Sequence, residues 1–290
     1  MKSNKWIWIS MAVILVGILV IGLQDGPQDF ELTEDIPAKE IQSIEINNDS
    51  WELVVKESTD NQVHVDIEGN QTDKKKAPVA VTRHSNNLVI QQDKQIGGAF
   101  SAFSFHKEGT ITVLIPKNTV EQVRIVNNEG DIHIRTLATH NLIVENKAGS
   151  MKLNQVEADS GDLNLMEGDL NVKDSSFERI DVAARGNDLY FKNVTSPVMN
   201  LYSKSGEIVL NGVDEKGEMR VETKTGDIQV DYQTAPASLK VAVENAKGDT
   251  TVHLANLLTT EKTDEKVDGT VGTGENSLYV KSHSGSIGIK

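Results

Sequence analysis

The sequence predicts an all-β chain: a β-solenoid of stacked rungs, each about 20 residues long, behind one N-terminal transmembrane helix. Three observations carry this. The first is a motif, Gly-Asp-Ile-His-Ile from Gly130, that keeps returning. It comes back at Gly149, Gly168, Gly206, Gly226, Gly248 and Gly285, and at Gly186 with one extra residue before Leu189. The steps between these glycines are 19, 19, 18, 20, 20, 22 and 37 residues. A near-constant period marks stacked units, none of which can bury its apolar face alone. The second is that apolar residues alternate with polar ones nearly everywhere beyond Ile41, with no helical stripe. The third is residues 6–23, which carry no charge, open on Trp6 and Trp8 and close on Leu23.

At 1.5 Å per residue, the 6–23 segment just spans a hydrocarbon core. The two tryptophans fall where an interfacial belt would lie. Lys2 and Lys5 precede it, and Asp25, Asp29, Glu31, Glu34 and Asp35 follow. The positive-inside rule then leaves residues 1–5 in the cytoplasm and the rest outside a single-pass cell membrane anchor. A cleaved signal peptide is the competing reading. The apolar run is long for one, and no small-x-small cleavage site follows cleanly. Residues 24–40 are polar and acidic, with Gly26, Pro27 and Pro37, and read as a linker before a domain over 41–290.

Within that domain, 41–116 reads as short strands. Ile41, Ile44 and Ile46 mark the first, Trp51, Leu53 and Val55 the second, and Val63, Val65 and Ile67 the third. Val79 and Val81 precede a turn at Ser85; Leu88 and Ile90 follow it, and Ile111, Val113 and Ile115 end at Pro116. Lys74 to Lys76 reads as a solvated basic turn. The apolar loop carrying Phe100, Phe103 and Phe105 reads as a flap over the N-terminal end of the core, with a contact surface as the alternative.

Over 117–290 the positions seven and five before the Gly are also apolar, as in Val123 with Ile125 and Leu142 with Val144, with two slight deviations: Leu163 and Leu165 before Gly168, and Ile180 and Val182 before Gly186. Each rung is therefore a strand, a corner at Gly, and a second strand, with one side of each facing a shared interior. Residues 259–276 lengthen one step and read as a protruding loop. The final strand, from Ser286 to Ile289, then leaves an open solenoid end. Either that loop covers the edge or something pairs with it.

Chemistry is sparse by comparison. Net charge is -14 and the pI about 5.0, which argues against nucleic acid as a partner. Cysteine is absent, so disulfides, thiolate chemistry and Cys-based zinc sites are excluded. Two columns recur in the rungs. Three residues before the Gly stand Asn127, Asn146, Ser203, Thr223, Asn245 and Ser282, which fit stacked side-chain hydrogen bonds. One residue after it stand Asp131, Asp169, Glu207, Asp227 and Asp249, with Asp162 and Asp188 close by. Asp favours turns, and the calcium-binding solenoid repeat is missing, so this column reads as hydrated corners rather than a metal site. His64, His84, His106, His133, His140, His253 and His283 are scattered, and no nucleophile elbow, phosphate loop or dinucleotide fingerprint occurs. No catalytic, cofactor-binding or metal-binding residue is assigned, and no cofactor is expected.

The order of these elements is itself informative. Ile41-x-x-Ile-x-Ile leads to Trp51-x-Leu-x-Val, Val63-x-Val, Leu88-x-Ile and Ile111-x-Val-x-Ile-Pro, then to the Gly-Asp-Ile-x-Ile series from Gly130. Over 41–290 this resembles the bacterial "putative adhesin" family, and the anchor resembles its membrane-bound, LiaG-like members. The resemblance implies a β-solenoid ectodomain and an association with envelope stress. It supplies no catalytic or ligand residues. The expected function is thus a non-enzymatic, membrane-anchored extracytoplasmic protein that presents its solenoid for interaction, adhesion or envelope-stress sensing. Its partner would be a cell-envelope protein or wall component. Two alternatives stand beside it: a polysaccharide-modifying enzyme on a β-helix, and a structural protein self-associating through the open end at Ser286–Ile289.

Overall fold

A computed structural model of the chain describes residues 28–71, 76–93 and 109–290. The expected membrane segment over 6–23 and the Phe-rich loop both lie outside these residues, as does most of the basic turn at Lys74. The described residues are all-β. Before the repeat come β1 (Gln28–Pro37), β2 (Ser43–Asn48), β3 (Glu52–Glu57), β4 (Gln62–Gln71), β5 (Val79–His84), β6 (Asn87–Gln92) and β7 (Gly109–Ile115). The rungs begin with β8 (Gln122–Asn127), β9 (Ile132–Asn146), β10 (Met151–Leu165) and β11 (Leu170–Ala184). They continue as β12 (Leu189–Thr195), β13 (Val198–Ser205), β14 (Ile208–Val213), β15 (Glu218–Thr225) and β16 (Ile228–Tyr232). The chain closes with β17 (Leu239–Asn245), β18 (Thr250–Val252), β19 (Leu258–Lys262), β20 (Lys266–Val271), β21 (Asn276–Ser284) and β22 (Ile287–Ile289).

The pairings sort these strands into two stacks. One runs β5-β6-β2-β8, through the second halves of β9, β10 and β11, to β13-β15-β21-β17-β20-β19. The other runs β1-β4-β7-β3, through the first halves of β9, β10 and β11, to β12-β14-β16-β22-β18. Within the rungs the pairing is parallel and in register, so Ile132 sits beside Met151 and Met151 beside Leu170. Alternation then turns the apolar half of every strand into one core. Ile134, Leu153, Val172, Phe191 and Leu210 form one buried column of it. Parallel neighbours cannot be joined by a tight hairpin. Here the chain passes from one stack to the other at each corner and returns a rung further on.

The two corners are built differently. At one, Gly168 has φ +92, and a Cβ there would lie 2.2 Å from the Gly149 carbonyl oxygen. Each corner is thus pressed onto the one below, which only glycine permits. At the other, left-handed residues stack instead: Thr136, Gln155, Asp174 and Asn193, with φ of 55°, 56°, 48° and 53°. This second corner bends β9, β10 and β11 between the stacks without ending them. Asn193 Nδ2 donates to Asp174 Oδ1 at 2.8 Å, tying two of its levels together. Gly186 is the exception to the glycine series. The residue stacked beneath Gly206 is Asn187, whose carbonyl oxygen lies 2.2 Å from where a Gly206 Cβ would stand. Asn187 is buried, and its side-chain oxygen accepts the Gly186 amide at 3.0 Å.

At both ends spatial order departs from chain order. β2 lies between β6 and β8, and β3 between β7 and β9, so the first rung made is the second in space. Likewise β22 lies between β16 and β18, and β21 between β15 and β17. The expectation of an open end at Ser286–Ile289 is therefore corrected. The last strand of the chain is an interior strand, with Ile287 and Ile289 buried. The insertion is not simply a protruding loop either. Its β19–β20 hairpin pairs antiparallel along β17 and covers that edge. A similar cap closes the other end, where β4 runs antiparallel to β7 and β1 antiparallel to β4. Over 28–37 the reading of a linker is thus corrected to a strand, with Phe30 buried against the core.

Candidate functional surfaces

The two columns legible in the sequence both serve the fold, the amides from inside it and the acids from its surface. Asn48, Asn127 and Asn146 are buried one above another. Asn48 Nδ2 donates to Asn127 Oδ1 at 2.7 Å, and Asn127 Nδ2 to Asn146 Oδ1 at 2.6 Å. Leu165 and Ala184 then interrupt the column, in register with Asn146 and with each other, before Ser203 and Thr223 resume it. Amides hydrogen-bonded to one another in an apolar interior fix register, because a slipped rung would break those bonds.

The acidic column caps backbone. Asp131 Oδ1 accepts the Ser150 amide at 3.0 Å, and Asp169 Oδ1 the Asp188 amide at 3.3 Å. Asp188 Oδ1 accepts the Glu207 amide at 2.8 Å, and Asp227 Oδ1 the Ser286 amide at 2.7 Å. Each carboxylate secures the corner of the neighbouring rung. Among the described residues, no three acidic or histidine side chains converge as metal ligands would.

The histidines occupy separate places. His64 stands between two carboxylates, with Nδ1 at 2.6 Å from Asp35 and Nε2 at 3.0 Å from Asp60. The hydrogen bond to Asp35 raises its pKa, and it joins β1 to β4. His133 lies 3.4 Å from Glu52, yet burial lowers its pKa, with Lys152 and Arg135 adding to the effect. His140 pairs with Asp159 at 2.6 Å on an exposed corner. His140 lines a shallow depression with Thr139, Ser176 and Glu178, but the side-chain hydrogen bonds of His64 and His140 run to carboxylates, not to a hydroxyl that a histidine base would activate.

What remains is the outer surface of the stacks, and the two differ. On the β13–β15 side, cations meet acids. Arg124 pairs with Glu145, Arg179 with Asp181 at 2.5 Å, Arg220 with Glu222, and Lys281 with Glu244 at 2.8 Å. The Arg220 guanidinium also lies 4.5 Å from the centre of the Tyr279 ring. Beside these pairs is a shallow, more apolar depression floored by Ala183 and edged by Met166 and Tyr202, which are 43% and 38% exposed. On the β12–β14 side, the row five residues after the Gly begins with Arg135, Asn154 and Lys173 and continues through Lys192, after the extra residue, to Asn211. This row escaped the sequence reading, although its spacing from the glycines was there to be followed.

The fold and surfaces thus define a two-stack, corner-turning β protein built of repeated rungs. The chain belongs to the Toastrack DUF4097 family, whose profile matches residues 41–290. Solved structures of similar fold include a "putative adhesin" from Bacteroides fragilis. It is 15% identical, with a TM-score of 0.52, over 90% of this chain and 97% of that one. Another, from Parabacteroides distasonis, is described as a "putative lipid binding protein". It is 14% identical, with a TM-score of 0.51, over 90% of this chain and 96% of that one. No curated protein matches the chain. At these identities the likeness is one of fold.

Proposed function

We propose that the chain is a non-enzymatic, membrane-anchored protein that holds its rungs outside the cytoplasmic membrane as a rigid display surface for envelope components. The observation that carries this is the use made of the repeated polar residues. Asp131, Asp169, Asp188 and Asp227 of the acidic column and the stacked amides, where a β-helix enzyme would assemble its chemistry, are engaged in hydrogen bonds between rungs. The free polar side chains stand instead in long rows on outer faces, which suits binding along a surface. The charge-free 6–23 segment supports the anchor and its orientation. The LiaG-like resemblance supports a place in the response to envelope stress.

Absence of cysteine allows a direct test of sidedness. A single Lys262→Cys substitution in exposed β19 gives the chain one thiol. A membrane-impermeant maleimide should label it on intact cells to the same extent as after lysis. Labelling only after lysis would overturn the extracytoplasmic placement. Recovery of the unanchored chain in the culture medium would overturn the anchor.

A further inference from the structure

The outer face of the β12–β14 stack carries cations where the fold gives them no acidic partners. Lys56 lies in register beside Arg135, and Lys173 beside Lys192. Asn154 fills the level between Arg135 and Lys173. Lys152 stands in the next row, in register with His133. All five cations are exposed. No described ion pair engages any of them. Like charges directly opposite on neighbouring strands destabilise a sheet. The chain has 43 acidic residues against 29 Lys and Arg, and on its other face Arg124, Arg179, Arg220 and Lys281 each pair with an acid. Two like-charge cross-strand pairs kept in such a chain are a cost that stability does not explain.

We infer that this row is a binding track for an extended polyanion, specifically a polyol phosphate chain, laid along the solenoid axis. This rests on the display reading above and names the partner class. At about 4.8 Å per rung, Lys56 to Lys192 spans four steps, or about 19 Å. The track is one side chain wide with a cation at four of five levels, and it ends where Asp231 pairs with Lys290 at 3.2 Å. Acids do border it. Asp174 sits at the adjacent corner, with its carboxylate held by Asn193, and Glu57 follows Lys56.

Width decides among partners. Four residues nearer the Gly corner, about 13 Å away along the strand, runs the acidic row of Asp131, Asp169 and Asp188. A flat anionic bilayer would cover both rows and be repelled by one of them, at a separation not far beyond the Debye length of about 8 Å. A single chain can follow the cations alone. Lysine serves phosphate as a point charge, and only Arg135 offers the bidentate fork that arginine brings to carboxylate and phosphate alike. Single-stranded nucleic acid shares the phosphodiester but draws on aromatic platforms for its bases. In the adjacent row of this face, only His133 and Tyr190 carry rings, three levels apart, so successive bases would find no continuous platform.

The test is binding of fluorescein-labelled poly(glycerol phosphate) to the full-length chain in neutral detergent, read by anisotropy. Affinity should fall steeply between 50 and 200 mM salt, as counterion release requires, and the K173E/K192E variant should lose about tenfold or more. The K204E/K224E variant changes net charge equally, but at the Gly corner, and should bind within about twofold of the unaltered chain. Thermal melts of both variants guard against unfolding. If K173E/K192E folds and binds as tightly as K204E/K224E, the track is wrong. It is equally overturned if anionic phospholipid vesicles or single-stranded oligonucleotides bind and the polymer does not. The labelling experiment reports sidedness alone, so either result can fail without the other.

Discussion

The middle of the solenoid and its two ends solve the same problem in opposite ways. From β8 to β16 each rung packs on the one just made, so neighbours in space are neighbours in sequence, 19 or 20 residues apart in register. At the ends the chain stacks out of order. β2 and β3 are enclosed by later strands, and β21 and β22 are inserted between β15–β16 and β17–β18. A repeat stack in which each unit touches only its neighbours can fray from either end. Enclosing the terminal strands ties fraying to the loss of several pairings at once. The antiparallel caps then shield edges that would otherwise recruit another chain.

The largest expected effect breaks an end. Removing 286–290 deletes β22 and leaves both β16 and β18 without a partner on that side. Loss of buried Ile287 and Ile289 alone should cost roughly 3–6 kcal/mol. Equilibrium denaturation should show the C-terminal rungs melting well before the middle. A single cooperative transition near the midpoint of the unaltered chain would show that the inserted strand is dispensable.

Next in size is a contrast within the middle. Gly168→Ala places a methyl 2.2 Å from the Gly149 carbonyl oxygen at φ +92 and should cost about 1–3 kcal/mol or more. Gly186→Ala, whose nearest neighbour would be Ser205 Oγ at 3.5 Å, should be near neutral. Equal losses in urea titrations would mean that the corner stack is not what the glycine series maintains.

The smallest effect sharpens the other end. Hydrogen bonding to Asp35 raises the His64 pKa above its ordinary value of about 6.5. The protonated imidazolium therefore favours the folded state. Its contribution is fully present below pH about 6.5 and is lost as pH rises through the raised, folded value. Amide exchange in β1, corrected for the intrinsic pH effect, should accelerate across that window. The middle rungs should not respond, and His64→Gln should abolish the dependence in β1. Parallel acceleration throughout the chain would remove His64 as the cause.

The reading of the sequence was strongest where local chemistry decides structure. Ile132 and Ile134 flank an outward His133, and that alternation alone puts them in the core. The buried Asn column followed from spacing in the same way. Gly186 misled because its neighbour Asn187 can also take a corner, using its side-chain amide to hold the turn. Phe30, Leu32 and Ile36 do alternate, but Glu34 stands in their row and the acidic surroundings hid the strand. Burial raises the Glu34 pKa, with Asp35 adding to it, as expected of an acid on the half-covered side.

By itself, then, the sequence determined the rung: its length, its glycine corner, its inward residues and its all-β character. These depend on alternation and backbone sterics within some twenty residues, and both are local. Only the tertiary structure decided which rung lies beside which. Gly226 and Gly285 are 59 residues apart in sequence, yet a Cβ on Gly285 would lie 2.1 Å from the Gly226 carbonyl oxygen. Each rung offers the same pattern of donors, acceptors and apolar rows to either neighbour, so local chemistry cannot rank them. The order comes from where the chain's ends and insertions can reach. That same stacking brings Lys56, Arg135, Lys173 and Lys192, scattered along the sequence, into one row.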